Sequence, residues 1–304
     1  MLLIGAMSVL LIFVDGLGIG ARGPHNPLDL LGEEAAPLAI FQDEEPELPF
    51  GGVLAPTDAQ LGVEGRPQSA SGQTTILTGV NAPARLGYHK QGFPNEAMRD
   101  IIREHSVFLQ LQRAGVGPNT FANTYTQRFF EERPRWVSAT TVAVEAAGLR
   151  FNTVEDLRAG RSVFHDFTNR LLAERGESAP ERSPEEAADV LARLASAHRF
   201  TLYEHFITDR MGHDQNFEGA RETLRGLARF VRAVLERVDL ARANVMLTSD
   251  HGNVEDLSTR NHTLNQVPTL AWGPAREQVA RGVRTLADIA PCVVSLLSHA
   301  NRTA

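Results

Sequence analysis

The chain has 304 residues, 42% hydrophobic and 22% charged, a composition ordinary for a soluble globular protein and long enough for one large α/β domain. A formal charge of −7, with Lys90 the only lysine, argues against nucleic acid as a partner, since phosphate backbones are held by excess Lys and Arg. The lone Cys292 excludes an internal disulfide and reads as a buried, inert thiol, in keeping with a cytoplasmic location.

The opening stretch MLLIGAMSVLLIFVDGLGIG is apolar but lacks the basic flank of a signal peptide, and it is shorter than the ~20 residues a membrane span needs. Val9 to Val14, ending at Asp15-Gly16, is read instead as a buried parallel strand, and Met7 is an alternative start. Residues 20 to 67 are rich in Pro, Gly and acids and show no sustained period. A helix is expected to open at Ser69 in SASGQTTILT, and Pro94 to Ala114 is amphipathic. A strand at Thr120 to Tyr125 follows. Residues 135 to 200 mix helical patterns with a polar stretch, and Ser183-Pro184 reads as a helix start; this interval is expected to hold a small cap or lid. The chain then alternates: strand Thr201 to Thr208, helix Phe217 to Val238, strands Asn244 to Thr248 and Val267 to Trp272, helix Thr285 to His299. Such alternation predicts a single α/β domain, a mostly parallel central sheet with helices on both faces.

In an open parallel sheet, ligands gather beyond the carboxyl ends of the strands. Asp15 follows the first strand, Asp209 and His213 follow Thr201 to Thr208, and Asp250 and His251 follow Asn244 to Thr248, so all three clusters belong at one edge. His262 precedes a strand and reaches that edge only if its loop folds back. Several acids and imidazoles collected there are costly unless cations neutralise them, and the donor mixture suits Zn²⁺ or Mn²⁺ better than Ca²⁺. Taken singly, each residue has a plainer reading: Asp-Gly and Asp250 to Asn253 as turns, His213 and His262 as satisfied loop histidines, Ser69 as a helix cap. Their joint order is what favours a site.

The set VDG at Asp15, SASGQTTILTG from Ser69, DRMGH from Asp209, SDHGN from Ser249 and NHTLNQVP from Asn261 resembles the alkaline phosphatase superfamily. Within it, the chain is most similar to the branch holding cofactor-independent phosphoglycerate mutase and phosphopentomutase. The resemblance implies two divalent metal ions, one held by Asp209, His213 and His262, the other by Asp15, Asp250 and His251. It also implies that Ser69 is the nucleophile, touching metal. The residues support that choice, since helix N-terminal amides attract phosphate and a metal lowers the pKa of a bound hydroxyl. Two ions roughly 4 Å apart would serve an in-line displacement through phosphoserine, followed by transfer to water or to a second hydroxyl.

Gln73, Asn265 and His89 are the expected substrate contacts. Gln73 stands where the mutases usually show His, and the interval before Asp209 leaves room for only a small cap in place of their large insertions. A phosphomonoesterase-like hydrolase acting on a small phosphorylated substrate is therefore the first expectation, with no nucleic acid or membrane partner and no oligomeric state specified. A phosphomutase of the phosphoglycerate or phosphopentose type is the second. A noncatalytic metal-binding protein is the reading from a different class.

Overall fold

The structure, a computed structural model, describes residues 7–132, 134–174 and 176–299, so the first six residues of the apolar opening lie outside the described residues. Six strands form one sheet: β1 (Ser8–Val14), β2 (Val53–Thr57), β3 (Asn119–Phe121), β4 (Phe200–His205), β5 (Ala243–Thr248) and β6 (Val267–Trp272), in the order β2-β6-β5-β1-β4-β3. β1 lies parallel to β4 and β5, and β3 to β4, while β6 runs antiparallel to both β5 and β2. Among the described residues no helix is long and apolar enough to cross a membrane.

Side chains alternate across a strand, and both faces here are covered. Leu10, Ile12 and Val14 point into one core, beneath helices Pro184–Ala197 and Phe217–Arg237. Val9, Leu11 and Phe13 point into the other, beneath helices Ser69–Thr78, Val107–Arg113 and Ile289–His299. The long helix Phe217–Arg237 buries Ala220, Leu224, Leu227, Val231 and Val234, the three-and-four spacing of an amphipathic stripe. Truncating Leu227 to Ala there would cost about 2–5 kcal/mol.

Several elements differ from the sequence expectation. The amphipathic run Pro94 to Ala114 is two helices, Glu96–His105 and Val107–Arg113, because Ser106 leaves helical geometry at ψ 145° between them. The strand expected over Thr201 to Thr208 stops at His205, and helix Ile207–Asp214 takes over. The strand expected at Thr120 to Tyr125 is the short β3, prolonged only by single bridges at Asn123 and Thr124. β2 lies inside the segment read as patternless; it is an edge strand, where Pro56 is tolerated. From the 135 to 200 interval, helix Ala139–Ala146 packs on Ser69–Thr78, and Pro184–Ala197 packs on β1 behind a Ser183–Glu186 capping box. Between them lie the short helices Val154–Arg158 and Arg170–Glu174.

Candidate functional site

The reversed direction of β6 brings the distant segments together. Because β6 runs against β5, its first residue sits at the edge where β1 and β5 end, and the His262 loop reaches that edge without folding back. Asp15 leaves β1 there, its amide bonded to the His205 carbonyl at 2.8 Å. Gly16 follows at φ +72°, and a Cβ on it would stand 2.9 Å from Asp209, so close approach and backbone hand both require glycine. Asp209 and His213 are one turn apart on helix Ile207–Asp214, which points both the same way. Ser69 is the first residue of its helix, and Asp250 and His251 directly follow β5.

The side chains converge. His251 Nε2 lies 3.0 Å from Ser69 Oγ, 3.3 Å from Asp15 Oδ1 and 3.5 Å from Asp250 Oδ2. His262 Nε2 lies 3.1 Å from His213 Nε2 and 3.5 Å from Asp209 Oδ1, and the other Asp209 oxygen is 3.4 Å from His213. The His251 and His262 rings stack at 3.6 Å. Each imidazole is fixed from behind: His213 Nδ1 lies 2.8 Å from the Arg260 carbonyl, His262 Nδ1 2.8 Å from the Pro67 carbonyl and His251 Nδ1 3.4 Å from that of Gly252. A carbonyl can only accept, so each Nδ1 carries the proton and each Nε2 turns a lone pair inward.

The tightest groupings are Asp15, Asp250 and His251, and Asp209, His251 and His262, each with one donor atom per residue inside 4.8 Å. The first coincides with an implied ligand set. The second has His251 in place of the implied ligand His213, which is half-exposed although its Nε2 lies 3.1 Å from His262 and 3.4 Å from Asp209.

Burial pushes the Asp15 carboxyl well above its usual range, and the nearby Asp250 and Asp209 charges push it further. Asp250 is raised in the same way, first by burial and then by Asp209. Burial lowers His251 and His262, so neither supplies a compensating positive charge. Asp15 Oδ1 is buried without a hydrogen-bond partner. Three carboxylates and three inward imidazole lone pairs, buried except at Asp209 and the half-exposed His213, fit divalent cations: an added positive charge satisfies both kinds of donor at once.

The substrate contacts expected from sequence are placed less uniformly. The Gln73 amide is inside the cluster, donating to Asp15 at 3.1 Å and Asp250 at 3.3 Å. Asn265 is engaged with Glu255 and Gln42, and His89 Nε2 lies 3.2 Å from the Val63 carbonyl. Other residues escaped the sequence reading. Asn253 donates to Asp209 Oδ1 at 2.6 Å and to its carbonyl at 3.1 Å, and a Cβ on Gly212 would collide with it at 2.4 Å. Glu255 accepts from Gly18, Asn253, Thr263 and Asn265, pinning two loops together. Both lie in SDHGNVED, where the sequence reading singled out only Asp250 and His251 as ligands. Glu204, an acid inside the buried strand FTLYEH, is pushed up to about 7 by burial and by Asp250.

A sheet whose carboxyl edge gathers acids and imidazoles in this way is an α/β scaffold with a candidate metal centre. The Metalloenzyme superfamily model matches residues 170–301. The 2,3-bisphosphoglycerate-independent phosphoglycerate mutase of Haloarcula marismortui is 28% identical over 156 residues, which is 46% of this chain and 30% of that protein. The matched part thus spans under a third of the curated relative's length. Among solved structures, the PH0037 protein from Pyrococcus horikoshii superposes over 99% of each chain with a TM-score of 0.54 at 16% identity. A cold-active alkaline phosphatase from Shewanella sp. covers 96% of this chain and 100% of its own, with a TM-score of 0.54 at 12% identity. At such identities these two likenesses speak for the fold alone. The C-terminal part of the chain is thus similar to the Metalloenzyme superfamily, and the fold as a whole is alkaline-phosphatase-like.

Proposed function

We propose that the protein is a two-metal phosphoryl-transfer enzyme, a phosphomonoesterase-like hydrolase working through phosphoserine at Ser69 on a small phosphorylated substrate. One observation carries this reading: the Ser69 hydroxyl, at a helix N-terminus, lies 3.0 Å from the inward imidazole of His251. Asp15, Asp250 and His251 would hold one ion, and Asp209, His213 and His262 the other, with Mn²⁺ or Zn²⁺ favoured by the mixed O/N donors. When bound, such ions supply Lewis acidity that lowers the Ser69 pKa and offsets phosphoryl charge.

The chain's own groups do the rest. The positive end of the Ser69 helix faces an arriving phosphate with the Ser69 and Ala70 amides, since those of Ser71 and Gly72 donate to the Lys90 and Gln68 carbonyls. Gln73 holds the Asp15 and Asp250 carboxylates in register, and Asn253 does the same for Asp209. Ser69 Oγ gives up its proton to solvent and forms a bond to phosphorus as the ester oxygen leaves with its electron pair and takes up a proton from solvent. Water then reverses the bond at Ser69 and releases phosphate. Transfer to a second hydroxyl, a phosphomutase reaction, is the second reading, favoured by the mutase name of the curated relative.

Purified protein supplied with Mn²⁺ or Zn²⁺ should release free phosphate from p-nitrophenyl phosphate, and acid quenching should trap phosphate on the Ser69 peptide. Release of no phosphate but its reappearance at another substrate hydroxyl would replace the hydrolase with the mutase. Inertness towards every phosphoester tried, with metal bound, would leave a noncatalytic metal-binding protein.

A further inference from the structure

Glu255 stands where three loops of the cluster meet, although it belongs to neither donor grouping. It is 1% exposed. Its Oε2 accepts from the Gly18 amide at 2.9 Å and the Asn253 amide at 2.7 Å, and its Oε1 from the Thr263 hydroxyl at 2.5 Å and Asn265 Nδ2 at 3.0 Å. The chain leaves room for it by glycine: a Cβ on Gly18 or Gly252 would stand 2.2 Å from Oε1.

The two ligand sets lean on Glu255 unequally. Asp15 is held by the sheet end, its amide on the His205 carbonyl and its own carbonyl taking the Thr208 hydroxyl, and Gln73 braces the Asp15 and Asp250 carboxylates. Asp250 and His251 directly follow β5. His262 lies in a loop instead, and the residue after it, Thr263, is bonded to Oε1. Asp209 is tethered by the Asn253 side chain, and the Asn253 amide is bonded to Oε2. Both of these dependences fall on the Asp209, His213 and His262 set.

We infer that Glu255 is a positioning residue for one ion of the pair: it fixes where His262 and Asp209 stand, and so sets the affinity of the Asp209, His213 and His262 set, while the Asp15, Asp250 and His251 set is placed by the strands. The inference rests on the two-metal reading above. Glutamine separates the two sets because its shape is the same and its chemistry is not. All four groups around Glu255 donate to it, whereas a glutamine offers one acceptor oxygen and one NH₂. The Gly18 and Asn253 amides belong to the main chain and cannot turn, so the oxygen stays with them. The NH₂ then meets Thr263 and Asn265, and the His262 loop is the part released.

The test is equilibrium dialysis of the full chain against Mn²⁺ with no substrate present, read by elemental analysis. The wild type should hold two ions. Glu255→Gln should keep one at wild-type affinity and weaken the other at least about tenfold, the scale of losing a partner behind a metal ligand. Thr263→Val, which removes one donor and keeps the shape, should weaken that same ion by a smaller factor. The two changes together should weaken it by less than the product of their separate factors, since they act on one contact. In His262→Ala, where that ligand set is already broken, adding Glu255→Gln should leave the remaining ion unchanged. Equal weakening of both ions, as a general loosening of the fold would give, or two wild-type affinities in Glu255→Gln would overturn the assignment. If Glu255→Gln does not fold, two wild-type affinities in Thr263→Val overturn it. Fewer than two ions in the wild type would instead overturn the two-metal reading, and this assignment with it. No phosphoester enters the measurement, so an enzyme inert towards every substrate leaves the assignment standing.

Discussion

One flank of helix Ile207–Asp214 carries Asp209 and His213 into a cluster where acids crowd acids and imidazoles face imidazoles; the other flank carries Ile207 and Met211 into a cleft where nearly every arginine has its own carboxylate. The first region is incomplete as protein alone, because like groups packed together need a counter-charge from outside. The second is nearly complete, its arginines Arg170, Arg225 and Arg229 each paired with a carboxylate of the chain itself. Within a single helix diameter the chain uses two opposite ways of preparing a polar pocket.

Removing the hydroxyl at the centre should break the contrast most sharply. Ser69→Ala is expected to lower phosphate release by at least about 10³-fold, as for other covalent nucleophiles, while metal analysis still finds close to two ions per chain. Loss of metal together with turnover would make Ser69 a structural ligand only.

On the cleft side, burial holds the His205 imidazole down at about 4, against a usual 6.5, in spite of its bond to the His165 carbonyl. Between those values the unfolded chain takes up a proton that the folded chain refuses. Stability present above pH 6.5 is therefore lost as pH falls towards 4, by up to about 3 kcal/mol. Urea midpoints of the wild type and His205→Phe should converge with falling pH; parallel curves would show that His205 is not the group.

Smaller effects sharpen the outer supports of each pocket. Asn253→Ala frees Asp209 from its side-chain tether and should weaken metal retention about 10–100-fold in chelator competition, with the fold intact. Ser183→Ala removes the cap of helix Pro184–Ala197 at the cleft rim and should cost about 1 kcal/mol in denaturant melts with turnover unchanged.

The same contrast governs what the sequence discloses. Asp15, Asp250 and His251 were legible because each follows a strongly apolar strand, and Asp209 and His213 because they follow the apolar run that begins at Thr201. The error over Thr201 to Thr208 has a local cause: β-branched Ile207 and Thr208 prolong a strand pattern that helix Ile207–Asp214 in fact interrupts. β2 was hidden because Pro56 breaks its alternation, and only pairing with β6 defines it. The direction of β6 is a property of partners, not of VPTLAW itself, so His262 was the least secure of the metal-site placements. The cleft was invisible for the stronger reason that Arg182 and His205 share no motif. They line one cleft only through tertiary packing.

The antiparallel join of β5 to β6 also bears on assembly. A parallel crossover would have to carry the chain back across the sheet between Asp250 and His262, whereas the antiparallel join keeps Asp250, His251 and His262 within one connection, residues 249–266, at a single sheet edge. Contacts of low sequence separation form with little loss of chain freedom, so this part of the cluster can be in place early in folding, before Asp15 and Ser69 arrive from far upstream. A nascent chain released with that connection closed would already present acids and imidazoles to passing cations.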